Sequence, residues 1–278
     1  PLQGTTSQDI GTAAGNGTVS FTNLRLDVAG TNKRLAANAT GLTGAASSTF
    51  TVNPAAAAAM VIQTQPPASA TAGTNFSPAP VIRLEDPFGN RVTTDSNTVV
   101  SVARNLGSGA LQGTTSVTAS AGLATFSNLS YNVAQTINLN FSSTGLTTVT
   151  SSIVVVSPAA ANRLAIQTQP SATATAGVVF AQQPAIRIED QFGNLRLTDN
   201  GTIVTAARGA GSGTLQGTLT ATAVNGIATF ANLSHNVATT ITIGFTSGSL
   251  AGTNSGNIVV SPAAFTKLQL LVPGETAA

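Results

Sequence analysis

The sequence predicts an all-β chain of tandem β-sandwich modules, and three observations carry that prediction. First, residues 54–157 recur without a gap as residues 158–261, a shift of 104 positions at which 57 of the 104 aligned pairs are identical. A fixed long period marks an array of like modules. Second, within each copy apolar and polar residues alternate in short runs broken by Gly, Pro, Asn and Asp, which is the period of strands joined by turns. Third, only 7% of residues are charged and Trp is absent, while the β-branched residues Thr and Val and the turn residue Gly abound. Two complete and two partial repeats of 104-residue period account for the whole chain.

The elements follow in order. Residues 1–53 read as the C-terminal part of a repeat: Leu2-Gln-Gly-Thr returns at Leu111 and Leu215, and Phe21-Thr-Asn-Leu returns at Phe126 and Phe230. The first copy carries about four extra residues between these landmarks, which predicts a longer turn around Gly11 to Gly17. In 54–157, strands are expected at Met60 to Gln63, near Ala70 and Thr71, and at 81–86 (Val-Ile-Arg-Leu-Glu-Asp). Further strands are expected at 98–103, 122–126, 136–141 and 153–156. Seven or eight short strands in 104 residues make a sandwich. The alanines at 55–59 read as a linker, with a helical turn as the alternative. Val156-Ser157-Pro158 and Val260-Ser261-Pro262 mark the module boundaries. So short a linker, with Pro restricting φ, predicts a semi-rigid rod. Residues 262–278 open a fourth copy.

These phrases carry a family resemblance. Ile-Arg-Leu-Glu-Asp-Pro-Phe-Gly-Asn at 82–90, repeated at 186–194, resembles the strand, Asp-x-x-Gly-Asn turn, strand signature of bacterial immunoglobulin-like (Big-like) tandem repeats. Such repeats build large surface proteins of the invasin and intimin type. Gly-Leu-Ala-Thr-Phe-Ser-Asn-Leu at 122–129 and its counterpart at 226–233 are similar to a second hallmark. The pattern departs where many relatives place Tyr and this chain has Ile137 and Ile241, which argues against a tyrosine-corner hydrogen bond. The resemblance implies immunoglobulin-like sandwiches and an extracellular spacer or adhesin stalk.

Composition narrows the function classes. Eleven Lys+Arg oppose nine Asp+Glu, and Lys33-Arg34 is the only adjacent basic pair, so there is no nucleic-acid footprint. No apolar run reaches the roughly 20 residues of a membrane-spanning helix. Without Cys there is no disulfide, thiolate metal site or Cys nucleophile. No cofactor motif is present.

Glu85, Asp86 and Asn90, with Glu189, Asp190 and Asn194, are the recurrent acidic clusters. Their oxygens suit calcium, but adjacent strand residues point to opposite faces, so an Asp-capped turn is the expected reading. Arg83 and Glu85 lie two apart on one strand face, as do Arg187 and Glu189. They are open to pairing, though a solvated face is the expectation. Arg104 and Arg208 also recur at matched positions. His235 stands where the sister module has Tyr131, so a half-exposed strand or loop position is expected and catalysis is not. The matched pairs Phe76/Phe180, Phe88/Phe192, Phe126/Phe230 and Phe141/Phe245 read as core. Six Asn-x-Ser/Thr sequons, at Asn16, Asn38, Asn75, Asn128, Asn200 and Asn232, are mostly due to composition.

The expected function is therefore structural: a spacer segment of a long bacterial extracellular fibre or cell-surface adhesin. Its partners would be neighbouring repeats and other copies in a fibre. The alternative is a module that binds a glycan or protein receptor through sandwich-end loops. Joining the two terminal pieces would not rebuild a module, because positions equivalent to 175–214 are missing. The chain is thus expected to be part of a longer repetitive protein.

Overall fold

The computed structural model describes residues 1–10 and 17–266. Most of the turn expected around Gly11 to Gly17 lies outside these residues, as do residues 267–278 of the expected fourth copy. The described chain is all-β, without a helix, and divides into two compact units, Pro1–Ser157 and Pro158–Ala278.

In the first unit, residues 54–157 form two main sheets and the short pairing of Leu111–Gln112 with Ser130–Tyr131. One runs in the order Ser116–Thr118, Val99–Leu106, Thr136–Ser143, Val154–Ser157 and Ser69–Thr71, with Leu146–Thr150 paired to Thr136–Ser143. Its last pair is parallel; the other pairs are antiparallel. The second sheet pairs Leu123–Thr125, Val81–Glu85 and Ala59–Thr64. The alternation read from the sequence is visible as burial. Ile82 and Leu84 point into the core between partly buried Val81, Arg83 and Glu85. Phe126 and Phe141, both buried, meet across the core with ring centroids 5.3 Å apart and tilted by 53°.

The second unit repeats this architecture. Leu164, Ile186, Ile188, Phe230, Ile243 and Phe245 belong to one core, with Phe230 and Phe245 5.6 Å apart. One difference is that Arg163 pairs in parallel with Ala251, which joins Arg163–Thr168 to Leu250–Asn254 in a seven-stranded path, while Thr173–Thr175, Ile258–Ser261 and Thr240–Ile241 form a separate three-stranded sheet.

Residues 1–53 are small two-stranded pairings: Leu2–Gln3 with Arg25–Leu26, Gly30–Lys33 with Phe50–Val52, and Ala36–Ala37 with Ala45–Ala46. They lie in the same unit as 54–157. The pairing Leu2↔Leu26 recurs as Leu111↔Tyr131 and Leu215↔His235. Beside it, Gly4, Gly113 and Gly217 all have positive φ, and a Cβ there would lie 2.1, 2.1 and 2.2 Å from the carbonyl oxygens of Asn23, Asn128 and Asn232. Only glycine fits so close an approach.

Several expectations need correction. The sandwich in 54–157 has eleven strand segments, because the short pieces at 111–112, 116–118, 130–131 and 146–150 carry too few alternating residues to register. The alanines at 55–58 are the expected linker rather than the alternative helical turn, and Ala59 already opens the strand Ala59–Thr64. His235 is fully buried, not half-exposed. Phe88 is 51% exposed and Phe192 is 37% exposed, so this pair is not core. Arg83 and Arg187 do not stand on a simple solvated face: each ion-pairs with the glutamate two residues on.

Candidate functional site

The recurrent Asp-x-x-Gly-Asn turn organises the entrance of each module. Asp86 follows the strand Val81–Glu85, and its side chain is a hub for N–H donors. Its Oδ1 accepts from the backbone N–H of Phe88 and of Asn90, each at 2.9 Å. Its Oδ2 accepts from the Asn90 side-chain amide at 2.8 Å and from the backbone N–H of Ala55 at 3.0 Å. Asp190 repeats the set with Phe192, Asn194 and Ala159. Gly89 and Gly193 take positive φ to complete the turns. Each aspartate thereby pins the first residue after the boundary proline to the turn of its own module.

This shell sets the electrostatics. Burial alone would raise the Asp86 carboxyl, but donation from Asn90, Ala55 and Phe88 outweighs it and lowers the pKa to about 2. Asp190 is lowered in the same way: burial opposes and donations from Asn194, Ala159 and Phe192 prevail. The glutamates turn to other partners. Glu85 pairs with Arg83, while Glu189 takes Arg163 at 3.0 Å and Arg187 at 3.2 Å. The predicted clusters Glu85, Asp86, Asn90 and Glu189, Asp190, Asn194 therefore do not aim their carboxylates at one point. Among the described residues no three His, Asp or Glu side chains gather as a metal site.

Asn90 also reaches beyond its own module. Its side-chain amide donates to the carbonyl of Asp27 at 2.7 Å, and its Oδ1 accepts the N–H of Ala29 at 2.9 Å. Beside this contact the Arg25 guanidinium lies over the Phe88 ring, 5.6 Å from its centroid. The exposed ring at this position serves the joint rather than the core. A cleft of about 280 Å³ runs alongside, lined in part by Thr31, Val52, Pro54, Asn90, Arg91 and Thr93. Its one charged lining side chain is Arg91.

The remaining candidates are structural. Arg104 donates to the carbonyls of Gly107 and Gly109, and Arg208 to those of Gly211 and Gly213, so each arginine staples a glycine loop. His235 is held by Val237 through Nδ1, and its Nε2 is buried without a hydrogen-bond partner. The Asn128 and Asn232 side chains bind the backbone and hydroxyl of Thr114 and Thr218. Two features escaped the sequence reading. One is a second pair of aspartate turns, in which Asp95 caps Asn97 and Thr98 and Asp199 caps Gly201 and Thr202; the repeated Asp-x-x-Thr spacing was the available signal. The other is the Asp27-Val28-Ala29 corner itself. Its signal was the recurrence of Asn-Val-Ala at 132–134 and 236–238.

No known protein family and no curated protein sequence matches the chain. Solved structures match the chain at low similarity. The Yersinia pseudotuberculosis adhesin InvE is 17% identical over 73% of this chain and 57% of its own, with a TM-score of 0.30. Extracellular domains 3–5 of Drosophila OTK are 14% identical over 76% of this chain and 68% of theirs, with a TM-score of 0.32. A Bacteroides vulgatus beta-glycosidase is 12% identical over 74% of this chain but only 25% of its own, with a TM-score of 0.33. The chain thus spans little more than half of the adhesin and a quarter of the glycosidase.

Proposed function

We propose that the chain is a non-catalytic spacer: a segment of a long bacterial extracellular fibre or cell-surface adhesin stalk built from immunoglobulin-like repeats of the invasin and intimin type. The observation that carries this reading is the use made of the recurrent turn. In its first copy Asp86 fixes the module entrance, and Asn90 fastens to the segment that precedes the module. Placing charged and aromatic side chains in joints and cores, with no convergent acid–base groups beside the cleft, fits a spacer better than an enzyme. On this reading the partners are neighbouring repeats of the same chain.

Small-angle scattering of the whole chain tests the proposal. A spacer gives a pair-distance distribution with a long tail, which lengthens by about one module when a further repeat is added. A distribution that stays compact after the addition overturns the reading.

A further inference from the structure

The joint between Asn90 and the Asp27–Ala29 corner has a counterpart with its receiving side open. The corner is Asp27-Val28-Ala29 in the first segment and Asn236-Val237-Ala238 in the last complete repeat. Both follow the same local frame. Leu2 pairs with Leu26 as Leu215 pairs with His235. The Thr5 N–H is held by Asn23 as the Thr218 N–H is held by Asn232. The valine sits outward in each, 52% exposed at Val28 and 42% exposed at Val237. Yet the two backbone groups that Asn90 occupies in the first corner, the carbonyl of residue 27 and the N–H of residue 29, differ in state. Their equivalents, the carbonyl of Asn236 and the N–H of Ala238, are exposed and have no partner among the described residues.

We propose that the Asn236–Ala238 corner is a docking site for the Asp-x-x-Gly-Asn turn of a further module of this same kind. A carboxamide held as Asp86 holds Asn90 presents one donor and one acceptor in fixed geometry. That pair matches a carbonyl and an N–H two residues apart and satisfies both at once. The aspartate pre-orders the amide, so little side-chain entropy is lost on docking. Lys, Asp or Arg at the turn position would meet only one of the two groups. The partner is thus defined by chemistry as well as by shape: a second repeat carrying the turn, not a glycan or a lipid surface. The inference rests on the spacer reading and extends it to the identity of the contact.

The test continues the full chain after Ala278 with a copy of residues 175–261, which supplies the turn now at Asp190 to Asn194. A second version replaces 262–278 by a whole copy of 158–261, so that one design still reports where the other fails to fold. Amide exchange at Ala238, read by NMR, should slow by about tenfold or more relative to the original chain. Substituting Ala for the asparagine of the added turn should restore fast exchange while the added copy keeps its own protected amides. Equal exchange at Ala238 with and without a folded added copy overturns the inference, as does protection that survives the Asn→Ala change. Scattering of the unextended chain reports separately on the spacer reading.

Discussion

Tyr131 and His235 occupy the same place in the two complete modules, and both rings are fully buried. Each packs against a glycine loop: a Cβ at Gly109 would lie 3.4 Å from the Tyr131 hydroxyl oxygen, and one at Gly213 would lie 3.0 Å from His235 Nε2. The tyrosine hydroxyl is answered by the Gln135 side-chain amide, whereas position 239 is Thr and His235 Nε2 is unanswered. The same pocket has been filled by two aromatic rings, only one of them with its polar tip satisfied.

The first prediction follows. His235→Ala should destabilise the second unit by about 2–4 kcal/mol, because it empties a closed site. His235→Tyr with Thr239→Gln rebuilds the sister arrangement and should cost less than about 1 kcal/mol or stabilise. Denaturant melts decide it. A double variant as unstable as His235→Ala would mean that the two pockets are not interchangeable.

Phenylalanines at matched positions should divide into two groups. Phe126→Ala removes a ring that is 1% exposed and packed on Phe141, and should cost about 3–5 kcal/mol. Phe88→Ala removes a half-exposed ring covered on one side by Arg25, and should cost no more than about 1 kcal/mol. Equal losses in thermal or denaturant melts would contradict the distinction.

These two cases show what was legible in the sequence. The sandwich class and the Asp86 turn were readable because alternation and turn chemistry are local, and Asp86 indeed caps residues two and four positions on. Phe88 misled because recurrence reports constraint, and a joint constrains a residue as firmly as a core does. His235 misled because a site that accepts Tyr and His looks like a surface, whereas the aromatic body is what the fold needs. The Asn90 contact joins residues 61 and 63 positions apart in sequence. No local pattern encodes such a pairing.

Acid should loosen the module entrance in a defined window. The Asp86 carboxyl is held at about 2 in the folded chain, below its ordinary value of 3.8. A depressed folded pKa contributes stability that is fully present above the unfolded pKa and is lost as pH falls through the folded one. The first unit should therefore lose melting temperature between about pH 4 and pH 2, with Asp190 adding the same trend to the second. Asp86→Asn should be less stable than the parent at neutral pH and show a flatter acid limb in the first unit. A variant that keeps the parent's full acid limb would assign the effect to other carboxylates.

The last prediction concerns the joint itself. Asn90→Ala removes the donor to Asp27 and the acceptor for Ala29, together with the bond that Asn90 makes to Asp86. Loss of these part-buried hydrogen bonds should lower the stability of the first unit by about 1–3 kcal/mol. Stability alone would not separate the turn from the joint, so exchange at the Ala29 amide is the sharper reading: it should accelerate by about tenfold or more. Thr93→Ala alters the wall of the same cleft without touching those bonds and should leave Ala29 exchange unchanged. Arg25→Ala removes the guanidinium over Phe88 together with its ion pair to Asp27 and should have an intermediate effect, because a part-exposed cation–π contact and an exposed ion pair contribute only about 0.5–1 kcal/mol each. An Ala29 amide that exchanges at the parent rate in Asn90→Ala would show that the segment 1–53 is held by its packing against the module and not by the asparagine.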